Sequence, residues 1–157
     1  MIALESYFPL FVSILFIIII LAFLLTQLTF EKRTLQLENE KGNKITLKVE
    51  IADNSFKRSL GLMFRTTLKE NEGMFFVFSN EAPRNFWMFN TKIPLDALHF
   101  NAKNQLVDYI SMAPCKSLVC PTYPSHQRAQ YVLEVNRGFS SKYTLTKDTS
   151  FSFIHSQ

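Results

Sequence analysis

Lys44-Ile45-Thr46-Leu47-Lys48-Val49-Glu50-Ile51 alternates polar and apolar residues without a fault, placing Ile45, Leu47, Val49 and Ile51 on one face. Period-two alternation of this kind specifies a half-buried strand. Upstream, Leu35 and Leu37 alternate in the same way. Gly42, within residues 39–43, supplies a turn, so residues 34–51 read as a hairpin. Downstream, Asp53 or Ser55 is placed to cap a short helix whose apolar positions are Phe56, Leu60 and Phe64. Asn71-Glu72-Gly73 is a turn, and residues 74–78 are a strand apolar on both faces. Further strands fall at residues 85–89, 95–100, 105–110, 129–135 and 149–154, with Pro94 between two of them. Residues 101–104 turn the chain, a proline-rich loop spans residues 113–127, and residues 137–143 hold a helical turn. Short strands separated by turns about every 8–12 residues indicate a mostly β domain, sandwich or barrel-like, with one or two short helices.

The 157-residue chain has two unlike parts. Residues 6–30 carry no Asp, Glu, Lys or Arg. All 17 Lys and Arg lie beyond, against 12 acids from Glu31 onward, a net +5 for that part. This distribution excludes a wholly soluble, a multidomain or a disordered chain. Eleven of the 16 Phe fall in the charged part, enough to build a core. Four Gly and six Pro exclude collagen-like or low-complexity sequence.

Residues 8–25 read FPLFVSILFIIIILAFLL, with Ser13 the sole hydroxyl. Extended to Leu28, the run makes about 31 Å of helix, matching a hydrocarbon core of about 30 Å. A secretory signal would need a basic leader, a shorter apolar stretch and a small-residue cleavage site; LLTQLTF offers none. The expectation is an uncleaved anchor at residues 1–30, contacting the bilayer through residues 7–28, followed by a domain at residues 31–157. Lys32, Arg33, Lys41, Lys44 and Lys48 follow the segment, which by the positive-inside rule favours a cytoplasmic domain. Long domains are exported with little regard to charge, and the cysteine pair favours an extracytoplasmic location.

Five blocks occur in order: Arg58-Ser59-Leu60-Gly61-Leu62-Met63-Phe64-Arg65, Glu72-Gly73-Met74-Phe75-Phe76-Val77-Phe78, Phe86-Trp87-Met88-Phe89-Asn90-Thr91, Ile93-Pro94-Leu95-Asp96 and Tyr131-Val132-Leu133-Glu134. Together they closely resemble the domain-of-unknown-function 192 family, over roughly residues 45–153. The resemblance implies a sandwich or barrel-like β fold, often carried behind an export signal or membrane anchor, and supplies no reaction. His99 stands where that family usually has an aliphatic or aromatic residue, so it inherits no role.

The aromatic run that includes Trp87 and Met88, followed by Asn90, Thr91 and Asp96, allows two readings. In one, Asn90 and Asp96 brace a turn while Trp87 fills the core. In the other, Trp87 and Met88 floor a ligand pocket with Asn90, Thr91, Asp96 and Glu134 as polar contacts and Arg65 as an anion clamp. On the second reading the chain is an envelope binding or accessory module, more binder than enzyme, for a small molecule, glycan or peptide. An alternative is a cell-wall or polysaccharide hydrolase using Asp96 and Glu134, whose carboxyls would need to lie about 5–9.5 Å apart. Cys115 and Cys120, in a proline-stiffened loop, are spaced to form a disulfide. Their spacing is neither C-x-x-C nor that of a zinc ribbon. A copper or redox module would draw on these two residues with Met63, Met74, Met88, Met112, His99 and His126. Met beside aromatics is more simply core filler, and no metal ligand set or cofactor is expected. Scattered lysines interleaved with acids do not indicate nucleic acid.

Overall fold

The computed structural model describes residues 8–117 and 119–154. The chain divides into two units at the junction of Phe30 and Glu31. The first unit is helix α1, Phe8–Leu28. Among the described residues, no helix is long and apolar enough to cross a membrane. Tyr7, the first residue of the expected span, lies outside the described residues.

The second unit is one sheet of seven strands. In chain order the elements are β1 (Glu31–Glu38), β2 (Lys44–Ala52), α2 (Ser55–Leu60), β3 (Glu72–Trp87), β4 (Leu95–Phe100), β5 (Leu106–Met112), β6 (Thr122–Asn136), α3 (Phe139–Lys142) and β7 (Ser150–Ile154). The sheet runs β5-β4-β6-β3-β2-β1-β7. Its two edges meet: Gln105 bridges Ser150, the Leu106 amide donates to Thr149 O at 2.8 Å, and the Phe151 amide donates to Asn104 O at 3.1 Å. These bonds close the sheet into a barrel, which leaves the β5 and β7 edges paired at that point.

The hairpin is as the alternation predicts. Leu35 pairs with Leu47 and Leu37 with Ile45, so the apolar residues of both strands share one face. β7 continues that face by pairing Phe153 with Leu35 and Phe151 with Leu37. Inside the barrel, the rings of Phe75, Tyr131, Phe151 and Phe153 meet at centroid distances of 4.9–5.9 Å, mostly edge to face. Such contacts add to area burial. β2 and β3 are parallel, joined by the crossover that carries α2. The cap of α2 is Asn54, between the two expected residues; its side chain accepts from the Lys57 amide at 2.9 Å. The helix ends at Gly61, so Phe64 is not helical: it sits at φ +64° and is 60% exposed.

Two segments differ from their sequence reading. Residues 74–78 and 85–87 belong to one strand, and β6 begins at Thr122, inside the expected proline-rich loop. These two long strands pair along their length, with register shifts at Val77/Ala82 and Pro83/Asn85. Bulges of this kind absorb residues that otherwise read as a turn, while the ladder keeps the chain extended.

Gly73 stands where β3 meets β6. A Cβ there would lie 2.7 Å from the Glu134 carbonyl oxygen and 3.1 Å from Leu133 Cδ1. Gly73→Ala is therefore expected to destabilise the domain by about 1–3 kcal/mol through overpacking against backbone. Equilibrium unfolding would show this as a lower midpoint with an unchanged slope.

Candidate functional site: an aromatic and arginine cleft over a buried acid

Successive side chains of a strand point to opposite faces, and cross-strand partners share a face. Phe75 and Leu133, paired, face the barrel core. Their neighbours Met74 and Glu134, and Phe76 and Val132, face outward, as do the β4 partners Ala97 and His99. This outer face is covered rather than wet. Glu134 is 4% exposed and His99 is 0% exposed, with the Phe86 ring edge-on to Phe76 and to His99.

Glu134 lines a small pocket of about 20 Å³ with Arg58, Gly61, Phe86, Trp87 and Thr91. That is room for about one water. The pocket shares Arg58, Ser59, Phe76, Phe86 and Trp87 with a larger cleft of about 400 Å³, which adds Phe78, Arg84 and Asn85. Trp87 is 51% exposed and stacks on Phe89 at 5.4 Å. Phe89 in turn bridges to Cys115, and Cys115 and Cys120 form a disulfide with a Cα separation of 5.8 Å. The disulfide ring thus adjoins the strand end that presents the indole.

Two guanidiniums lie over the Phe78 ring, Arg84 at 3.8 Å and Arg58 at 5.2 Å from its centroid. Backbone oxygens hold both in place. Arg58 donates to Asp53 O at 2.8 Å and Val77 O at 2.9 Å, and Arg84 Nε donates to Ala129 O at 2.8 Å. No carboxylate among the described residues pairs with Arg58, Arg84 or Arg128. Burial, then the nearby positive charges of Arg58 and Arg128, lower the pKa of Arg84.

The Glu134 carboxyl has no hydrogen-bond or ionic partner among the described residues, and burial pushes its pKa up to about 8. At neutral pH it is predominantly a neutral acid, able to donate as well as accept. His99 is the other buried titratable group on this face. Both of its ring nitrogens lack a hydrogen-bond partner, and burial lowers its pKa to about 4.

Of the residues singled out in the sequence, Trp87, Thr91 and Glu134 come together at this site. Met88 is buried, and Asn90 sits at φ +54° with its carbonyl accepting from the Phe64 amide at 2.8 Å. Arg65 does not reach the site. It pairs with Glu50 at 2.6 Å in a separate pocket of about 120 Å³ that includes Lys32, Lys48 and Glu72. Asp96 is also elsewhere. It pairs with Val135 while Ala97 pairs with Glu134, which puts the two carboxyls on opposite faces of the sheet. Asp96 instead accepts from Ser111 Oγ at 2.7 Å, Ser140 Oγ at 2.6 Å and the Gly138 amide at 3.0 Å, bracing the start of α3. A hydrolase pair of Asp96 and Glu134 is thereby removed, since no substrate reaches both faces at once. The residues named for a copper or redox module are otherwise engaged or apart. The cysteines are joined to each other, Met74, Met88 and Met112 are buried, and among the described residues no three His, Cys, Asp or Glu cluster. Sequence reading missed Arg58 and Arg84. Arg58 opens the first family block, whereas Arg84 lies in a stretch that gave no signal.

The two buried groups give opposite pH dependences. Glu134, raised from 4.5 to about 8, removes stability as pH rises through that window, by up to roughly 5 kcal/mol. His99, lowered from 6.5 to about 4, removes stability as pH falls through its window, by up to roughly 3 kcal/mol. The two windows overlap and offset each other between about pH 4.5 and 6.5, so unfolding free energy should be level there and fall on either side. Glu134→Gln should flatten the alkaline limb and His99→Phe the acidic one; variants with unchanged limbs would refute these assignments.

The same architecture occurs in solved structures. A Sinorhizobium meliloti protein provisionally assigned as a transcription regulator superposes with a TM-score of 0.74 at 27% identity, covering 80% of this chain and 96% of its own. A protein of unknown function from Novosphingobium aromaticivorans gives a TM-score of 0.70 at 25% identity, covering 78% and 86%. A UPF0127 protein of Pyrococcus furiosus is 33% identical over 100 residues, 62% of this chain and 79% of that protein. The model of the DUF192 family, described as an uncharacterized ACR, matches residues 36–153, which take in β2 to β6, the covered acid and both arginines of the cleft. On that match the chain belongs to the DUF192 family.

Proposed function

We propose that this chain is a membrane-anchored binding module of the cell envelope, whose ligand occupies the cleft beside Trp87. The observation that carries the reading is a half-exposed indole next to a cleft of about 400 Å³, with an unpartnered, buried acid in the adjoining pocket. A concave hollow with aromatic walls and convergent polar groups is a form that small-ligand sites take, and the lining here is divided about evenly between polar and apolar surface.

Anchoring is supported by α1 itself. The helix carries no charge, its described side chains at residues 9–22 are all exposed, and the one hydroxyl there, on Ser13, donates to Pro9 O at 2.9 Å. A helix apolar all round needs an apolar surround, and its backbone satisfies itself. An extracytoplasmic domain is supported by the disulfide, since such bonds persist in oxidising compartments. On intact cells, a membrane-impermeant thiol reagent should label the protein only after reductant; labelling without reductant, or none with it, would contradict that placement.

Binding is tested by the fluorescence of Trp87, the only tryptophan. Across a panel of glycans, short peptides and small anions, at least one class should shift or quench the emission saturably, and Trp87→Ala should weaken that class by about tenfold or more, followed by calorimetry. Silence across the panel would overturn the reading.

A further inference from the structure

We infer that the cleft takes a ring-bearing anion, with a carboxylate or phosphate against Arg58 and Arg84 and its ring against Trp87. This inference rests on the binding reading above and narrows it to a ligand class. Three features of the cleft converge on it. First, Arg58 and Arg84 both line the hollow and neither meets a carboxylate among the described residues, although a third cation, Arg128, lies near enough to repel Arg84. Clustered guanidiniums without a counter-charge are stabilised by an incoming anion, and the planar fork suits carboxylate and phosphate alike.

Second, the donors are partly committed and partly free. Arg84 spends Nε on Ala129 O and Nη2 on Asn80, so Nη1 has no partner among the described residues. Arg58 spends Nη1 on two backbone oxygens and Nη2 on Ser55 Oγ at 3.3 Å, so its Nε has none. Backbone oxygens therefore fix the guanidiniums in place without neutralising them. A pre-positioned charge loses little side-chain entropy on binding.

Third, the surfaces beside these cations are aromatic and the group beneath them is unpartnered. Phe86 and Trp87 line both the cleft and the inner pocket, and Trp87 offers a half-exposed face. Glu134, with no partner of its own, opens into the inner pocket between them. A ring with a hydroxyl or amide substituent would satisfy that carboxyl while lying on the indole. The volume, about 400 Å³, fits one or two rings and excludes a long polymer from full enclosure.

The test uses the full chain in a neutral detergent at low salt, following Trp87 emission. The probes are a glucuronate-containing disaccharide, glucose 6-phosphate, the neutral disaccharide cellobiose, and the ringless anions acetate and inorganic phosphate. At least one charged ring should bind about tenfold or more tighter than both cellobiose and the matching ringless anion; which one responds identifies carboxylate or phosphate as the source. Its affinity should fall with added NaCl. Arg84→Gln should lose about tenfold or more of it, and Arg84→Lys, which keeps the charge, should retain part. Should Arg84→Gln fail to fold, the salt dependence and the comparison of charged with neutral rings still decide. Cellobiose binding as tightly as the charged rings, or binding indifferent to salt, would overturn this inference and leave the binding module standing. Silence toward every probe here would overturn the inference as well, and silence across the wider panel would overturn the binding reading with it.

Discussion

The pairing of β3 with β6 is the constraint on which the rest of the domain depends. Because side chains alternate along a strand, this one ladder sorts residues into two environments. Phe75 and Leu133 enter the barrel core, while Met74, Phe76, Val132 and Glu134 form a second, outward layer. A slip of one residue would exchange the two sets and drive Glu134 among the phenylalanines. Gly73 helps hold the register, since only a residue without Cβ tolerates the Glu134 carbonyl so close. The same two strands run on past the bulges to Trp87 and Thr122, so the ladder that fixes the core also carries the cleft.

That second layer explains the unusual electrostatics. β4 is buried along its whole length, one face toward the barrel core and the other in the outward layer, where the Phe86 ring lies edge-on to His99. Polar groups there must be paired or neutral. Asp96 meets the requirement by pairing, with hydroxyls and amides around it. Glu134 and His99 have no such partners and meet it by neutrality instead, one holding its proton and the other lacking its second. Three polar residues on or beside one strand thus show both solutions. Only Glu134 among them lines a pocket that adjoins the cleft.

Much of the fold was legible because one-sided burial leaves a period-two trace, as residues 44–51 do without interruption. β3 was harder. Residues 79–84, Ser-Asn-Glu-Ala-Pro-Arg, have the composition of a turn, and only their partner strand keeps them extended. The candidate site was legible only in part. Trp87, Thr91 and Glu134 do converge, but whether Asp96 and Glu134 share a face depends on register parity between strands far apart in sequence. The exchange of Arg65 for Arg58 has a local cause. The helix stops at Gly61 and Phe64 takes a left-handed conformation, so Arg65 turns to Glu50 while Arg58 stays on the helix.

A neutral carboxyl beneath a cationic, aromatic cleft is the physical core of this account, and its protonation state is open to direct observation. Carbon-13 NMR of the glutamate side-chain carboxyls, with Glu134→Gln used for assignment, would follow the titration of that one group. The account predicts a midpoint displaced to about 8. A midpoint in the ordinary glutamate range, near about 4.3, would mean that the acid is solvated or paired, and would contradict it.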